Sequence, residues 1–269
     1  MDSLANAQIK IGTSGYSFED WRGVFYPPDL PKGKMLDFYA QHFNTVEINS
    51  TYYRIPPAAV FYHLANKTPA DFEFIVKVHQ QVTHKREKPL ESMTALQMAL
   101  RPLLESQKIS GYLAQFPWAF KYQPDNLDYL QRLAAACQPL PLFVEFRHES
   151  WLCEEVYHNL AARRIGYCCV DEPPLKGLLP PQEKVIGRIG YVRFHGRNAT
   201  NWWDSSKGDR YDYAYSKEEL GGWLQRIRSM KQKAEKLYLF FNNCHMGHAV
   251  INAKQMVELL KQEGLLELN

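Results

Sequence analysis

Four pairs of polar residues in this chain are spaced by two: Glu47 with Asn49, Lys77 with His79, Glu145 with Arg147, and Arg193 with His195. Each pair stands late in a short run of β-branched, aliphatic or aromatic residues. Residues two apart in an extended strand share a face, so each run carries its polar groups on one side and toward one end. By the same parity four further runs contribute one group each: Ser14, Gln115, Asp171 and Asn242. Burying so many charges and amides with nothing to serve would be costly, whereas a shared mouth facing a substrate accounts for all of them. Three carboxylates (Glu47, Glu145, Asp171) meet three cations (Lys77, Arg147, Arg193), with His79 and His195 beside them. Carboxylate and imidazole supply general acid–base chemistry. Glu47 or Glu145 is then the candidate base, and His195 or Asp171 the candidate acid. Two carboxylates could also cleave a glycoside, an outcome set by their separation. The cations suit a small anionic ligand, with arginine binding it in two-pronged fashion; Asn49, Gln115 and Asn242 would orient it. Carboxylate and imidazole could also hold a divalent metal, but those cations compete for the same carboxylates, so no cofactor is expected and a metal is the less favoured alternative.

The elements that must hold these groups alternate along the chain. The strand-like runs are IKIGTS (9–14), TVEINS (45–50), FEFIVKVH (72–79), YLAQFP (112–117), LFVEFR (142–147), GYCCVD (166–171), GYVRFHG (190–196) and LYLFFNN (237–243). Between them lie KMLDFYAQHF, AAVFYHLANK, LESMTALQMALRPLLESQ, NLDYLQRLAAACQ, EEVYHNLAARR and KEELGGWLQRIRSMKQKA, and after the last run AVINAKQMVELLKQ. These have apolar residues at helical spacing, as in the stripe Leu96, Ala99, Leu100, Leu103 and Leu104, which marks amphipathic helices lying on a sheet. Strand–helix alternation implies a parallel sheet, and alternation that stops at eight strands implies a single-domain (β/α)8 TIM barrel spanning 1–269, with its core at about 9–262. A Rossmann-type open sheet lacks its fingerprint, since GTSGYS rather than GxGxxG follows the first strand. The sixth-to-seventh connection, EPPLKGLLPPQEKVIGR, is Pro-rich and predicts a long loop or short helix. A long aromatic loop follows strand seven, from Arg197 to about Ser216.

In such a barrel the site lies at the C-terminal ends of the strands, where the polar pairs stand. The loops there add aromatics: Tyr16 and Trp21 after strand one, Tyr52 and Tyr53 after two, Trp118 after four, Trp151 after five, and Trp202, Trp203, Tyr211, Tyr213 and Tyr215 after seven. About half would pack loops onto helices. The rest offer a stacking surface for a sugar or base, with Lys207 and Arg210 near for phosphate. Gly221-Gly222 inside a helical run weakens the helix and marks a late helix start or a close helix contact. Adjacent Cys168 and Cys169 fall on opposite faces of strand six, both as core thiols. Cys244 beside His245 lacks the third group that a nucleophile would need.

The bulk properties agree with a folded enzyme-sized domain. Of 269 residues 45% are hydrophobic and 23% charged, which suits a sizeable core rather than disorder. A net charge of +3 is too small to argue for nucleic acid by itself. Five cysteines without a CxxC spacing favour reduced thiols and a cytoplasmic location. MDSLANAQIKIG has no basic start followed by an apolar run, so no signal peptide is expected. No run is long enough to span a bilayer.

Seven motifs, IGTSGYSFEDWRGVFYP, FYAQHFNTVEINSTYYRIP, FEFIVKVHQQVTHK, YLAQFPWAF, VEFRHESW, YVRFHGRN and FNNCHMGHAVINA, in this order, resemble the YecE-like family of domains of unknown function. The resemblance runs from about Ile9 to about Leu260. It implies a TIM-barrel fold and no established activity; likeness to endonuclease-like and sugar-isomerase-like barrels implies a nucleic-acid or phosphosugar ligand by analogy. The family's motif positions fall on Glu47, Asn49, Lys77, His84, Gln115, Glu145, Arg147, Asp171, Arg193, His195, Gly196, Arg197, Asn242 and Asn243. Tyr16 stands where the family often has Trp. With Trp151, these complete the expected ligand-binding set. Three functions follow: a hydrolase or isomerase acting on a small anionic or phosphorylated substrate, a nucleic-acid binding or processing protein, and a non-catalytic ligand sensor.

Overall fold

The computed structural model describes residues 7–204 and 209–267. Eight strands run parallel: β1 Gln8–Thr13, β2 Thr45–Ile48, β3 Glu73–Lys77, β4 Ile109–Gln115, β5 Leu142–Glu145, β6 Ile165–Asp171, β7 Ile189–Phe194 and β8 Lys236–Phe241. Their order in the sheet is β1-β8-β7-β6-β5-β4-β3-β2. The two end strands meet where Ser14 bridges Glu47 and the Gly15 N–H donates to the Glu47 carbonyl at 2.8 Å, closing the (β/α)8 barrel. Gly12 permits this seam, because a Cβ there would overlap the Thr45 carbonyl. All eight expected strands are present, and most stop a residue or two earlier than expected. Asn49, His79, Arg147, His195 and Asn242 therefore stand just past the strand ends, where the connecting loops begin.

Among the described residues ten α-helices surround the barrel: α1 Met35–Tyr39, α2 Ser50–Tyr53, α3 Ala58–Asn66, α4 Pro89–Ala99, α5 Arg101–Glu105, α6 Pro124–Cys137, α7 Glu154–Ala162, α8 Lys217–Gly221, α9 Leu224–Lys231 and α10 His248–Gln262. The stripe on α4 and α5 does what its spacing requires: Leu96, Leu100 and Leu103 are fully buried, with Ala99 and Leu104 packed beside them. Two expected helices are each broken in two. Pro102 opens α5 just after α4 ends, in keeping with the preference of proline for a first turn. Gly222 caps α8 before α9 begins; nothing approaches Gly221 closely, so the glycine pair marks a break and not a helix contact. The Pro-rich β6–β7 connection is irregular, as expected.

Inside the barrel the side chains form layers. At the N-terminal end Glu73 accepts from Ser110 (2.9 Å), Lys236 (2.7 Å) and the Tyr238 hydroxyl, with the Lys10 ammonium 3.4 Å away. Above it Phe143, Tyr191, Tyr238 and Phe240 pack ring on ring. This aromatic layer floors the C-terminal mouth.

Candidate active site

Two guanidiniums organise the mouth. Arg193, at the inward face of β7, donates from Nη1 to Glu145 Oε2 at 2.6 Å and from Nη2 to Glu47 Oε1 at 2.7 Å and Ser14 Oγ at 3.3 Å. Glu47 also accepts from the Tyr191 hydroxyl at 2.5 Å. Arg147, two residues beyond Glu145, places Nη2 2.6 Å from Glu145 Oε1, in ion-pair contact but out of line for a hydrogen bond. Its Nη1 donates to Glu172 Oε2 at 2.9 Å. Acid and base thus alternate from Glu47 through Arg193, Glu145 and Arg147 to Glu172, all within the buried interior. Burial alone would raise the Glu145 carboxyl; Arg147 and Arg193 outweigh it and hold this group well below the usual carboxylate range. Burial instead prevails at Glu172, pushed up to about 7 against the pull of Arg147 and the Leu179 N–H.

His195 is fully buried between these groups. Burial, then Arg147, pushes its imidazole down to about 3, so it is neutral at physiological pH. Its Nε2 lies 3.1 Å from Arg147 Nη2, and its Nδ1 lies 3.0 Å from the Asn242 amide. A neutral ring has one N–H. The amide atom at Nδ1 is Asn242 Nδ2, which donates to the ring, so the single N–H sits on Nε2, 3.2 Å from Glu145 Oε1 and beside Arg147 Nη2.

In front of this layer opens a cavity of about 490 Å³. Lys77, Arg147 and Arg210 line it with Gln115 and His84, and among the described residues no carboxylate does. Its walls are Tyr52, Tyr53, Trp118, Trp202, Trp203 and Tyr211. The Arg147 guanidinium lies 5.5 Å from the Trp202 ring and the Lys77 ammonium 4.6 Å from the Tyr52 ring. Lys77 Nζ donates to Gln115 Oε1 at 3.0 Å. Burial, then the charge of Arg193, pushes this amine down to about 7, against the opposing pull of Glu145 and Glu47. His84 is carried in by a single π-turn, Gln81–Lys85, a form that recurs at functional sites. Burial and the neighbouring Lys77 and Arg147 hold its ring down to about 4.

The model of the protein of unknown function DUF72 matches residues 10–268. This chain belongs to the DUF72 family. It is 33% identical to the UPF0759 protein YunF of Bacillus subtilis, over 95% of each chain, and 25% identical to the UPF0759 protein YecE of Escherichia coli O157:H7, over 80% of this chain and 81% of that one. A DUF72 crystal structure from Thermotoga maritima superposes with a TM-score of 0.87 at 40% identity, covering 94% of this chain and 99% of the other. One from Enterococcus faecalis gives 0.86 at 27% identity over 97% of both. The YecE-like resemblance and the barrel it implied are both correct.

Within this DUF72 barrel the expected residues divide. Glu47, Glu145, Arg147, Arg193, His195, Lys77, Gln115 and Asn242 converge on the mouth, with the half-buried Asn49 beside Glu47. Asp171 does not. Its neighbour in the β6–β7 register is Phe194, which packs outward against Trp223. The Asp171 carboxylate accepts from Arg197 (2.8 and 2.6 Å), Tyr215 (2.8 Å) and Trp223 (2.6 Å). It and Arg197 therefore anchor the loop after β7 to the helical layer. Asn243 likewise faces outward, donating to the Tyr213 carbonyl and Asn252. Trp151 is core, stacked on Phe146 at 4.0 Å with its N–H on the Phe120 carbonyl. Tyr16 packs against Tyr39 outside the cavity. His79 props the loop after β3, its ring taking the Gln81 N–H. Lys207 lies outside the described residues. The acid that β6 contributes to the mouth is Glu172; carrying the alternation from Cys168 through Val170 one residue past the strand end would have found it. The thiols fall as expected, Cys168 toward Glu145 and Cys169 toward the Lys184 carbonyl.

Among the described residues no helix is long and apolar enough to cross a membrane, and no group of three or more His, Cys, Asp or Glu is placed to hold a metal ion.

Proposed function

We propose that the protein is an enzyme acting on a small anionic substrate in the barrel mouth, with Lys77 making the proton transfers at neutral pH. The observation that carries this reading is a cavity lined by Lys77, Arg147 and Arg210 and, among the described residues, by no carboxylate. Such a lining attracts an anion and offers paired donors to it, and its volume falls in the ordinary range for small-molecule sites. Glu47 and Glu145 are fully buried behind the guanidiniums. In this reading they hold Arg193 and Arg147 in place and do not touch substrate, and neutral His195 packs between Glu145 and Arg147. Lys77 is a lining group whose proton equilibrium is brought to neutrality, as an acid–base catalyst requires. Five free cysteines, with Cys168 and Cys169 held on opposite faces of one strand, support a reducing, cytoplasmic location.

A nucleic-acid ligand is the second reading. It draws on the exposed rims of Tyr53 (73%), Trp118 (39%) and Trp203 (56%), which could stack bases. Titration with sulfate, a sugar phosphate and a single-stranded oligonucleotide across a salt series separates the two. Our reading expects saturable binding of the sugar phosphate, weakened about tenfold by Arg210→Ala. Tight binding of the oligonucleotide alone, falling steeply with salt, would overturn it.

A further inference from the structure

We propose that Lys77 is a nucleophile that forms an imine with a substrate carrying both a carbonyl and an anionic group. This deepens the reading of the mouth as an anion site and rests on it; once the Lys77 amine is bound covalently, the proton transfers assigned to it above pass to His84, which lines the same cavity. Three features of the geometry converge on the Lys77 amine.

The first is its choice of partners. A carboxylate in ion-pair contact would favour the protonated amine, which is no nucleophile. Among the described residues none lies in ion-pair contact with Lys77; its polar partner is the neutral Gln115 oxygen, and its remaining contact is the face of Tyr52. The second is its surroundings. The amine shares the cavity with Arg147 and Arg210, and cationic neighbours together with desolvation are the conditions that free an amine to act as a nucleophile near neutral pH. Burial and Arg193 supply that push here. The third is a proton carrier. The His84 imidazole lines the same cavity, packs edge-on against the Tyr52 ring at 5.1 Å, and is neutral at pH 7. The anion-binding arginines would hold the charged end of the substrate and present its carbonyl to the amine.

The step balances without an added oxidant or reductant. The Nζ lone pair attacks the carbonyl carbon; the C–N bond forms as the carbonyl π pair moves onto oxygen, giving a carbinolamine. One amine proton passes to that oxygen through His84. The nitrogen lone pair then forms C=N as the C–O bond breaks, and the oxygen departs as water with the second amine proton. A keto acid and a phosphorylated aldehyde both satisfy this chemistry.

The test is reductive trapping on the full-length chain. Pyruvate, glyceraldehyde 3-phosphate and uncharged glyceraldehyde are each incubated with sodium cyanoborohydride, and the modified lysine is located by peptide mass mapping. We expect saturable modification of Lys77 at least about tenfold faster than of the exposed Lys121, with an anionic probe preferred over glyceraldehyde by a similar factor. The preferred anionic probe tells a keto acid from a phosphorylated aldehyde. Sulfate should protect Lys77, and Lys77→Arg and Lys77→Met should each abolish the fast adduct. Modification of Lys77 no faster than that of Lys121 overturns the imine. If sulfate still binds in that case, the anion site stands and the imine alone is wrong; if neither sulfate binding nor an adduct is found, both readings fall.

Discussion

The two ends of this barrel interior each hold a charged cluster, half-buried at one end and fully buried at the other, and they differ in how completely those charges satisfy one another. At the N-terminal end, one carboxylate, Glu73, receives two amines and two hydroxyls and is held low by Lys236 and Tyr238 against the cost of burial. Both oxygens of that carboxylate are taken. At the C-terminal end the row from Glu47 to Glu172 leaves Arg147 Nε, Arg193 Nε and Glu145 Oε1 buried without hydrogen-bond partners. It also faces an open cavity with Lys77 and Arg147. A closed cluster of this kind serves the fold, whereas buried groups left without partners cost stability.

The largest expected effect comes from the centre of the upper row. Glu145→Ala strips Arg193 and Arg147 of their shared counter-charge, and removing one member of a buried pair costs about 3–5 kcal/mol. Urea denaturation should show a loss of that order; a loss under about 1 kcal/mol would mean that the row is not the keystone of the mouth. The next effect has the opposite sign. Lys77 binds its proton at about 7 in the folded protein against an ordinary 10.5, so from pH 7 to 10.5 the unfolded chain holds the extra proton and stability rises with pH. Glu172 runs the other way. It titrates at about 7 folded and 4.5 ordinarily, so stability falls as pH rises from 4.5 to 7. Together they place a shallow minimum near neutrality. Lys77→Met should stabilise the protein at pH 7 by on the order of 2 kcal/mol, discounted for the access of water to the amine. It should also flatten the alkaline limb, and Glu172→Gln should flatten the acid limb. Melting temperatures across pH 4–10 check both, and limbs unchanged in the variants would refute the assignment.

The lower cluster should behave as a purely structural one. Glu73→Gln is expected to cost about 1–2 kcal/mol and to leave ligand binding at the mouth untouched. Its contribution is present above about pH 4.5 and is lost as pH falls, because its folded affinity for a proton is lowered. Reduced sulfate affinity in this variant would show the two ends to be coupled. The smallest stability effect belongs to Arg210→Ala at the rim, within about 0.5 kcal/mol, while anion affinity drops. A melting shift larger than the affinity change would make Arg210 part of the scaffold.

Much of the upper end was legible in the chain because its signals are local. Glu47-x-Asn49, Glu145-x-Arg147 and Arg193-x-His195 each share a face through the two-residue period alone, and all reach the mouth. Asp171 was misassigned for a physical reason. Parity says that two residues share a face, but not which face is the interior, and GYCCVD is apolar on both sides. The neighbouring strand decided it, since Asp171 stands beside outward-facing Phe194 and Val170 beside inward-facing Arg193. Trp151 and Tyr16 were misplaced because an aromatic following a strand serves core and cavity equally well. His84 could be placed only by the π-turn that turns it inward.

By itself, then, the sequence determined the eight-strand alternation, the helix faces that cover it and the end of the barrel where polar groups gather. These follow from periodicities of two and about 3.6 residues, which operate between near neighbours. The tertiary structure alone decided that the carboxylates lie behind the cations, that Glu172 and not Asp171 completes the row, and that Lys77 lines the cavity with no carboxylate in ion-pair contact among the described residues. Those outcomes depend on groups far apart in the chain, as Arg193 and Glu47 are across 146 residues. They also depend on the depth at which each charge is buried, and both quantities exist only once the barrel has closed.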